Sequence, residues 1–305
     1  MKDFTEIAVR STVDGSKESS LLYIPETAHE KTVPLVVGLH TWSYDRFNKM
    51  DAYLPFCKLR GWALLLPEFR GPNLRTNPRG PEACGSLCAI SDILDAVNFV
   101  METGYADFSR IFLLGASGGG HAALLTAARS PLFWRGVAVW CPVSDLTSWH
   151  AYYGAGNSYA SELEYCLGGT PSERPDLYFS RSPLTYAKAL STVCLSIHQG
   201  RHDEIVPWKM NRDLHEAIEA FSPEHCYFDL FDGAHDEDIS RSFAWFDSLC
   251  SKKTPSFHHH RLSETAGSVF VFFVFPVCIF EGQCYITHHS LRMRDEVLEV
   301  KVNKI

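Results

Sequence analysis

Apolar residues gather along this chain in short unbroken runs. Leu35–Leu39, Trp62–Leu66, Ile111–Leu114, Gly136–Cys141 and Val193–His198 are each bounded by turn formers or polar residues. Runs of this length without polar alternation suit strands covered on both faces. Between them the period changes. Leu87, Ile90, Leu94, Val97 and Val100 fall on one face of a helix predicted over Gly85–Thr103. Further helices are predicted over Arg46–Arg60 (interrupted near Pro55), Ala122–Arg129, Lys209–Ala220 and Ile239–Cys250, with a last strand at Cys226–Phe231. Ahead of these, Thr5–Ser11 and Ser19–Ile24 flank Asp14-Gly15 and read as an antiparallel hairpin. Strands alternating with helices predict the α/β class: a doubly wound, mostly parallel sheet with an antiparallel start.

Two stretches break this rhythm. Pro142–Leu190 is a long insertion rich in aromatics, among them Trp149, Tyr152, Tyr153, Tyr159, Tyr165, Tyr178 and Tyr186. A connection this long is seldom structureless inside a compact domain, so a small cap over the sheet is expected at about 142–190. After Lys253 the character changes. The histidines 258–260 precede the apolar run Val269–Phe280, which contains Pro276 and is too short to span a membrane. Two regions are expected, a body over 1–254 and a tail over 255–305 to which the reading assigns no role.

Composition narrows the partners. The chain has 305 residues, a formal net charge of −8 and a pI near 5.9. Such a balance argues against a nucleic-acid or anionic-membrane partner. Met1–Ile7 lacks the apolar core of a signal peptide. The 10 cysteines form no CxxC pair. They read as reduced thiols of a cytoplasmic protein, with no metal and no cofactor expected.

In an open sheet of this kind, ligands sit beyond the carboxyl ends of the strands. His40, Arg70, Ser117, Asp145, Asp203 and His235 all fall there. The most informative is Ser117, in Gly115-Ala-Ser117-Gly-Gly119 between the Ile111 strand and a helix. Gly-x-Ser-x-Gly at a strand-to-helix junction is a nucleophile elbow. A serine hydroxyl needs a base to take its proton and a third group to hold that base. The chain order Ser117, Asp203, His235 supplies them, each just past a strand, as in α/β-hydrolases. Asp145 is the rival acid, with helix capping as its other reading. His121 reads as packing one turn behind the serine, and His198 and His202 as support for the acid loop. For the oxyanion, donors are expected from the N–H of Gly118 and of Trp42, or else Thr41. His40, Arg70, Trp149 and Tyr153 are the candidates for substrate contact.

The segments Gly38-Leu-His-Thr-Trp-Ser43, Phe69-Arg-Gly-Pro-Asn73, Gly115–His121, Gly200–Pro207 and Gly233-Ala-His235 resemble the α/β-hydrolase superfamily, most closely its prolyl-oligopeptidase-like branch. The resemblance spans roughly residues 5 to 250. It implies a serine hydrolase working through an acyl-enzyme. Two departures matter. His40-Thr41-Trp42 stands where esterases and lipases often carry His-Gly-Gly. Only the hairpin precedes the first central strand, where prolyl oligopeptidases carry a propeller. The expected activity is hydrolysis of a small-molecule carboxylic ester, with the aromatic cap suited to sugar rings or aromatic acyl groups. A small serine peptidase of the same branch is the alternative, and a non-catalytic binding protein on this fold is a third reading that an intact triad opposes.

Overall fold

The computed structural model describes residues 3–251, together with four short strands lying between 271 and 304. It divides into two units, residues 1–252 and 253–305.

The first unit is built on an eight-stranded sheet. β1 (Thr5–Arg10) and β2 (Lys17–Tyr23) form the antiparallel hairpin. β3 (Val33–Leu39), β4 (Ala63–Pro67), β5 (Ala106–Ala116), β6 (Gly136–Trp140), β7 (Leu195–Gly200) and β8 (Cys226–Phe231) are mutually parallel, and the spatial order is β1-β2-β4-β3-β5-β6-β7-β8. The strands are apolar on both faces because both faces are covered. Leu35, Val37, Ile111 and Leu113 point into one core, while Val36, Phe112 and Leu114, alternating with them, point into the other. α2 (Leu87–Glu102), α3 (Gly118–Arg129) and α8 (Trp208–Glu219) cover the first face, and α1 (Met50–Arg60) and α9 (Ile239–Ser251) cover the second. This is the α/β-hydrolase architecture.

Local chemistry sets the ends of these helices. Ser86 caps α2, its hydroxyl accepting from the Ala89 N–H at 3.1 Å. α1 begins later than its sequence pattern suggests. Arg46 is drawn off by Glu68, which accepts from both its backbone N–H and its guanidinium. Pro55 lies inside α1 without ending it; the helix stops at Gly61, whose φ of 64° is left-handed.

The insertion after β6 is helical: α4 (Leu146–Tyr153), α5 (Ser158–Leu167), α6 (Pro175–Ser180) and the single turn α7 (Ala187–Leu190). Its apolar residues share a third core with the body, in which Trp149, Tyr178 and Leu163 pack with Trp42, Val206 and Met210. No helix among the described residues is long and apolar enough to cross a membrane.

In the second unit, β11 (Gln283–Leu291) pairs antiparallel with β9 (Val271–Val274), β10 (Cys278–Phe280) and β12 (Val302–Lys304). The histidine run 258–260 lies outside the described residues.

Candidate active site

The turn from β5 into α3 puts Ser117 at φ 55°, ψ −121°, a conformation that costs a non-glycine residue energy and marks a functional turn. The neighbours make it possible. A Cβ on Gly115 would lie 2.3 Å from the Gly119 carbonyl oxygen, so strand and helix approach this closely only with glycine there. The Ser117 N–H donates to Trp140 O at 2.8 Å, which ties the turn to the end of β6.

The loop after β7 carries Asp203 and the loop after β8 carries His235. They are stitched together by backbone bonds, Arg201 N–H to Phe231 O and His202 N–H to Gly233 O, both 2.9 Å. His235 Nδ1 donates to Asp203 Oδ2 at 2.7 Å. The rest of the carboxylate is also satisfied. Oδ1 accepts from the N–H groups of Ile205 and Val206, each at 2.8 Å, and Oδ2 accepts from Gln199 Nε2 at 3.0 Å. Burial opposes the charge on Asp203, but the bond from His235 and the two backbone donors outweigh it and hold the carboxyl below its ordinary value. A carboxylate on Nδ1 leaves the lone pair of His235 on Nε2, the tautomer a general base requires. Among the described residues no hydrogen bond joins Ser117 Oγ to His235; such bonds often close only around substrate.

Asp145, the rival acid, is spent elsewhere. It caps α4, accepting from the Thr147 N–H at 3.1 Å and from the Ser148 hydroxyl.

Cys141 was not among the residues singled out by sequence. It follows β6 with φ 44°, and its backbone N–H donates to His198 O at 2.7 Å. Its Sγ points at the carbonyl oxygens of Ala234 and Asp236, on either side of His235, at 3.8 and 3.7 Å. Donor atoms of Cys141, Asp203 and His235 lie within 4.8 Å of one another. Burial pushes the thiol pKa up, so Cys141 stays a neutral thiol. The sequence signal was a lone cysteine in Trp-Cys-Pro, which says nothing of the loop ninety residues on that it meets.

The two candidates for the second oxyanion donor differ in how they are engaged. Thr41 N–H donates to Asn48 Oδ1 at 3.1 Å. Trp42 N lies 2.6 Å from where a Cβ on Gly118 would stand, beside the first turn of α3. A helix N-terminus with unpaired N–H groups favours negative charge.

Three of the four expected substrate contacts need correction. His40 is buried, stacked on Phe69, with its ring nitrogens against the carbonyls of Thr41 and Glu68; it props up the loop that carries Trp42. Arg70 is wholly enclosed. Its guanidinium donates to Asp14 and Glu82, each at 2.7 Å, and to Asp92 and Ser11, so it pins the hairpin to α2. Trp149 is only 1% exposed and gives its indole N–H to Ile205 O. Tyr153 is half-buried, its hydroxyl donating to the same oxygen. His40, Arg70 and Trp149 have no polar group left for a ligand.

Three histidines that the sequence reading kept out of the triad have partners of their own. His121 is fully buried with Nε2 on Arg181 O at 2.8 Å. His198 stacks on Trp140, and the exposed His202 pairs with Asp232.

Comparison with known proteins agrees with this geometry. Residues 88–220 match the prolyl oligopeptidase family. The chain is 28% identical over 229 residues to acylamino-acid-releasing enzyme of Sus scrofa, covering 68% of this chain and 29% of that enzyme. It spans less than a third of the length of the curated relatives it matches. A puromycin hydrolase structure superposes with a TM-score of 0.66 at 21% identity, over 81% of this chain and 38% of that one. S-formylglutathione hydrolase (FrmB) of Staphylococcus aureus superposes with a TM-score of 0.60 at 14% identity, over 80% of this chain and 95% of its own. The described body has the α/β-hydrolase fold and is similar to the prolyl oligopeptidase family.

Proposed function

We propose that this domain hydrolyses carboxylic esters of small molecules, with Ser117 as nucleophile, His235 as general base and then acid, and Asp203 as the group that orients it. The observation that carries the proposal is the 2.7 Å bond from His235 Nδ1 to a buried, fully satisfied Asp203, on the sheet edge where Ser117 stands at φ 55°. In the first half-reaction Ser117 Oγ attacks the acyl carbon while its proton passes to His235 Nε2. The oxyanion forms against the N–H groups of Gly118 and Trp42. His235 then protonates the departing alkoxide and leaves an acyl-serine, which water cleaves by the same steps in reverse roles.

Two observations support an ester over a peptide. FrmB, named as an S-formylglutathione hydrolase, shares the fold over 95% of its own length. Arg70, the one permanently charged candidate for holding a peptide end, is enclosed by Asp14, Glu82 and Asp92. The aromatics read as suiting sugar rings are largely consumed in the core shared by the insertion and the body, with Trp149 and Tyr178 buried there, so the proposal is kept to short acyl esters. The peptidase reading rests on the family match over residues 88–220 and on the acylamino-acid-releasing enzymes.

A fluorophosphonate probe should label the protein, and Ser117→Ala should abolish both labelling and turnover while leaving the fold intact. The ester reading then expects kcat/KM for p-nitrophenyl acetate and butyrate to exceed that for prolyl, alanyl and N-acetylalanyl p-nitroanilides by at least about a hundredfold. Comparable values for an anilide would make the protein a peptidase.

A further inference from the structure

Far from Ser117, three side chains of different chemistry converge at the other end of the sheet. His215 and Glu219 lie one turn apart near the end of α8, on one face of that helix. Cys226 is the first residue of β8, the strand that follows. One donor atom from each lies within 4.8 Å of the others, and His215 Nε2 stands 3.3 Å from Glu219 Oε1. The His215 ring is oriented by stacking on Phe228, with centroids 5.2 Å apart. His215 and Cys226 are half-buried and Glu219 is exposed, so the cluster is accessible from solvent yet backed by the core.

We propose that His215, Glu219 and Cys226 form a binding site for a thiophilic divalent cation of the zinc class, with water completing the tetrahedron. The donor set selects the metal. An imidazole nitrogen, a carboxylate oxygen and a sulfur suit zinc, whereas calcium and magnesium want oxygen alone. Uptake of one metal ion releases one thiol proton to solvent.

The placement suggests what the ion does. α8 begins just after the Asp203 loop, and β8 ends just before the His235 loop. A metal closing the 220–225 connection would staple α8, which follows the Asp203 loop, to β8, which precedes the His235 loop, at the end remote from the chemistry. It is a stabilising site and no part of the hydrolytic step.

The test is titration of the 305-residue chain, kept reduced, with Co²⁺ and then Zn²⁺ alone. The expected result is a thiolate-to-cobalt charge-transfer absorption for one equivalent per chain, displaced by Zn²⁺, with a rise in melting temperature. Cys226→Ser should remove that equivalent, and His215→Ala should weaken it at least tenfold, with ester turnover unchanged in both. Measuring the difference from wild type separates this site from other histidines and cysteines of the chain. If Cys226→Ser fails to fold, Glu219→Gln at the exposed ligand is read in its place, with the same tenfold loss expected. Wild type and variants that bind Co²⁺ with equal affinity and the same absorption would overturn the site, as would a wild type with no such absorption.

Discussion

The indole rings of Trp42 and Trp149 meet edge to face, with centroids 4.8 Å apart at 68°. Through this pair the loop bearing a proposed oxyanion donor leans on the cap. Trp149 also gives its N–H to Ile205 O at 2.9 Å, and Ile205 N–H donates to Asp203. One cap residue thus braces both the oxyanion loop and the acid loop. Trp149→Phe keeps most of the ring and loses the bond; it should cost about 1–2 kcal/mol of stability. Trp149→Ala should cost about 3–5 kcal/mol. Both should lower kcat for p-nitrophenyl acetate, and chemical denaturation beside steady-state kinetics checks the two effects separately.

Asp203 and Asp145 sit after neighbouring strands, and kinetics should separate them. Asp203→Asn keeps the shape but lets His235 hold the wrong tautomer, so kcat should fall by roughly 10⁴. Asp145→Ala removes only the cap of α4 and should cost about 1 kcal/mol of stability with kcat within about twofold. The opposite pattern would assign the acid to Asp145.

Cys141 should behave as a positioning residue. Its thiol spans the carbonyls flanking His235, so Cys141→Ala should loosen that loop and lower kcat by roughly tenfold with KM unchanged. Cys141→Ser, which can still donate to those oxygens, should recover most of the loss. A variant that shifts only the melting temperature and leaves kcat alone would show the thiol to be mere packing.

His121 predicts a pH dependence of stability. Complete burial lowers its pKa to about 4 from the usual 6.5, so it stays neutral when folded and takes up a proton when unfolded. Between those values the unfolded chain binds more protons, and stability falls as pH drops from about 6.5 to 4. The full contribution is on the order of 3 kcal/mol. His121→Gln, whose amide can still donate to Arg181 O, should flatten that part of the curve in urea titrations across this range.

Much of this protein is written locally in its chain. The parallel strands follow from short apolar runs, because a strand covered on both faces has no polar side to show. The elbow is legible from the glycines flanking Ser117, because a strand and helix this close admit no side chain at 115 or 119. Asp203 and His235 were recognisable as candidates because chain order carries them past successive strands, although their 2.7 Å bond is a fact of tertiary structure.

What sequence position does not decide is what a polar residue meets. Arg70 stands in a loop beyond β4, yet partners as distant as Asp14 and Asp92 enclose it, and a guanidinium satisfied on all sides has nothing left for a ligand. His40 and Trp149 turn inward for the same reason: carbonyls from other segments are there to receive them. The choice between Thr41 and Trp42 turns on whether Asn48 reaches one N–H. Cys141 becomes notable only when the loop holding Ala234 and Asp236 folds over it. Backbone geometry and burial period are short-range and legible from neighbours in the chain. The pairing of polar groups depends on which distant segments arrive to desolvate and satisfy them, and only the folded structure determines that.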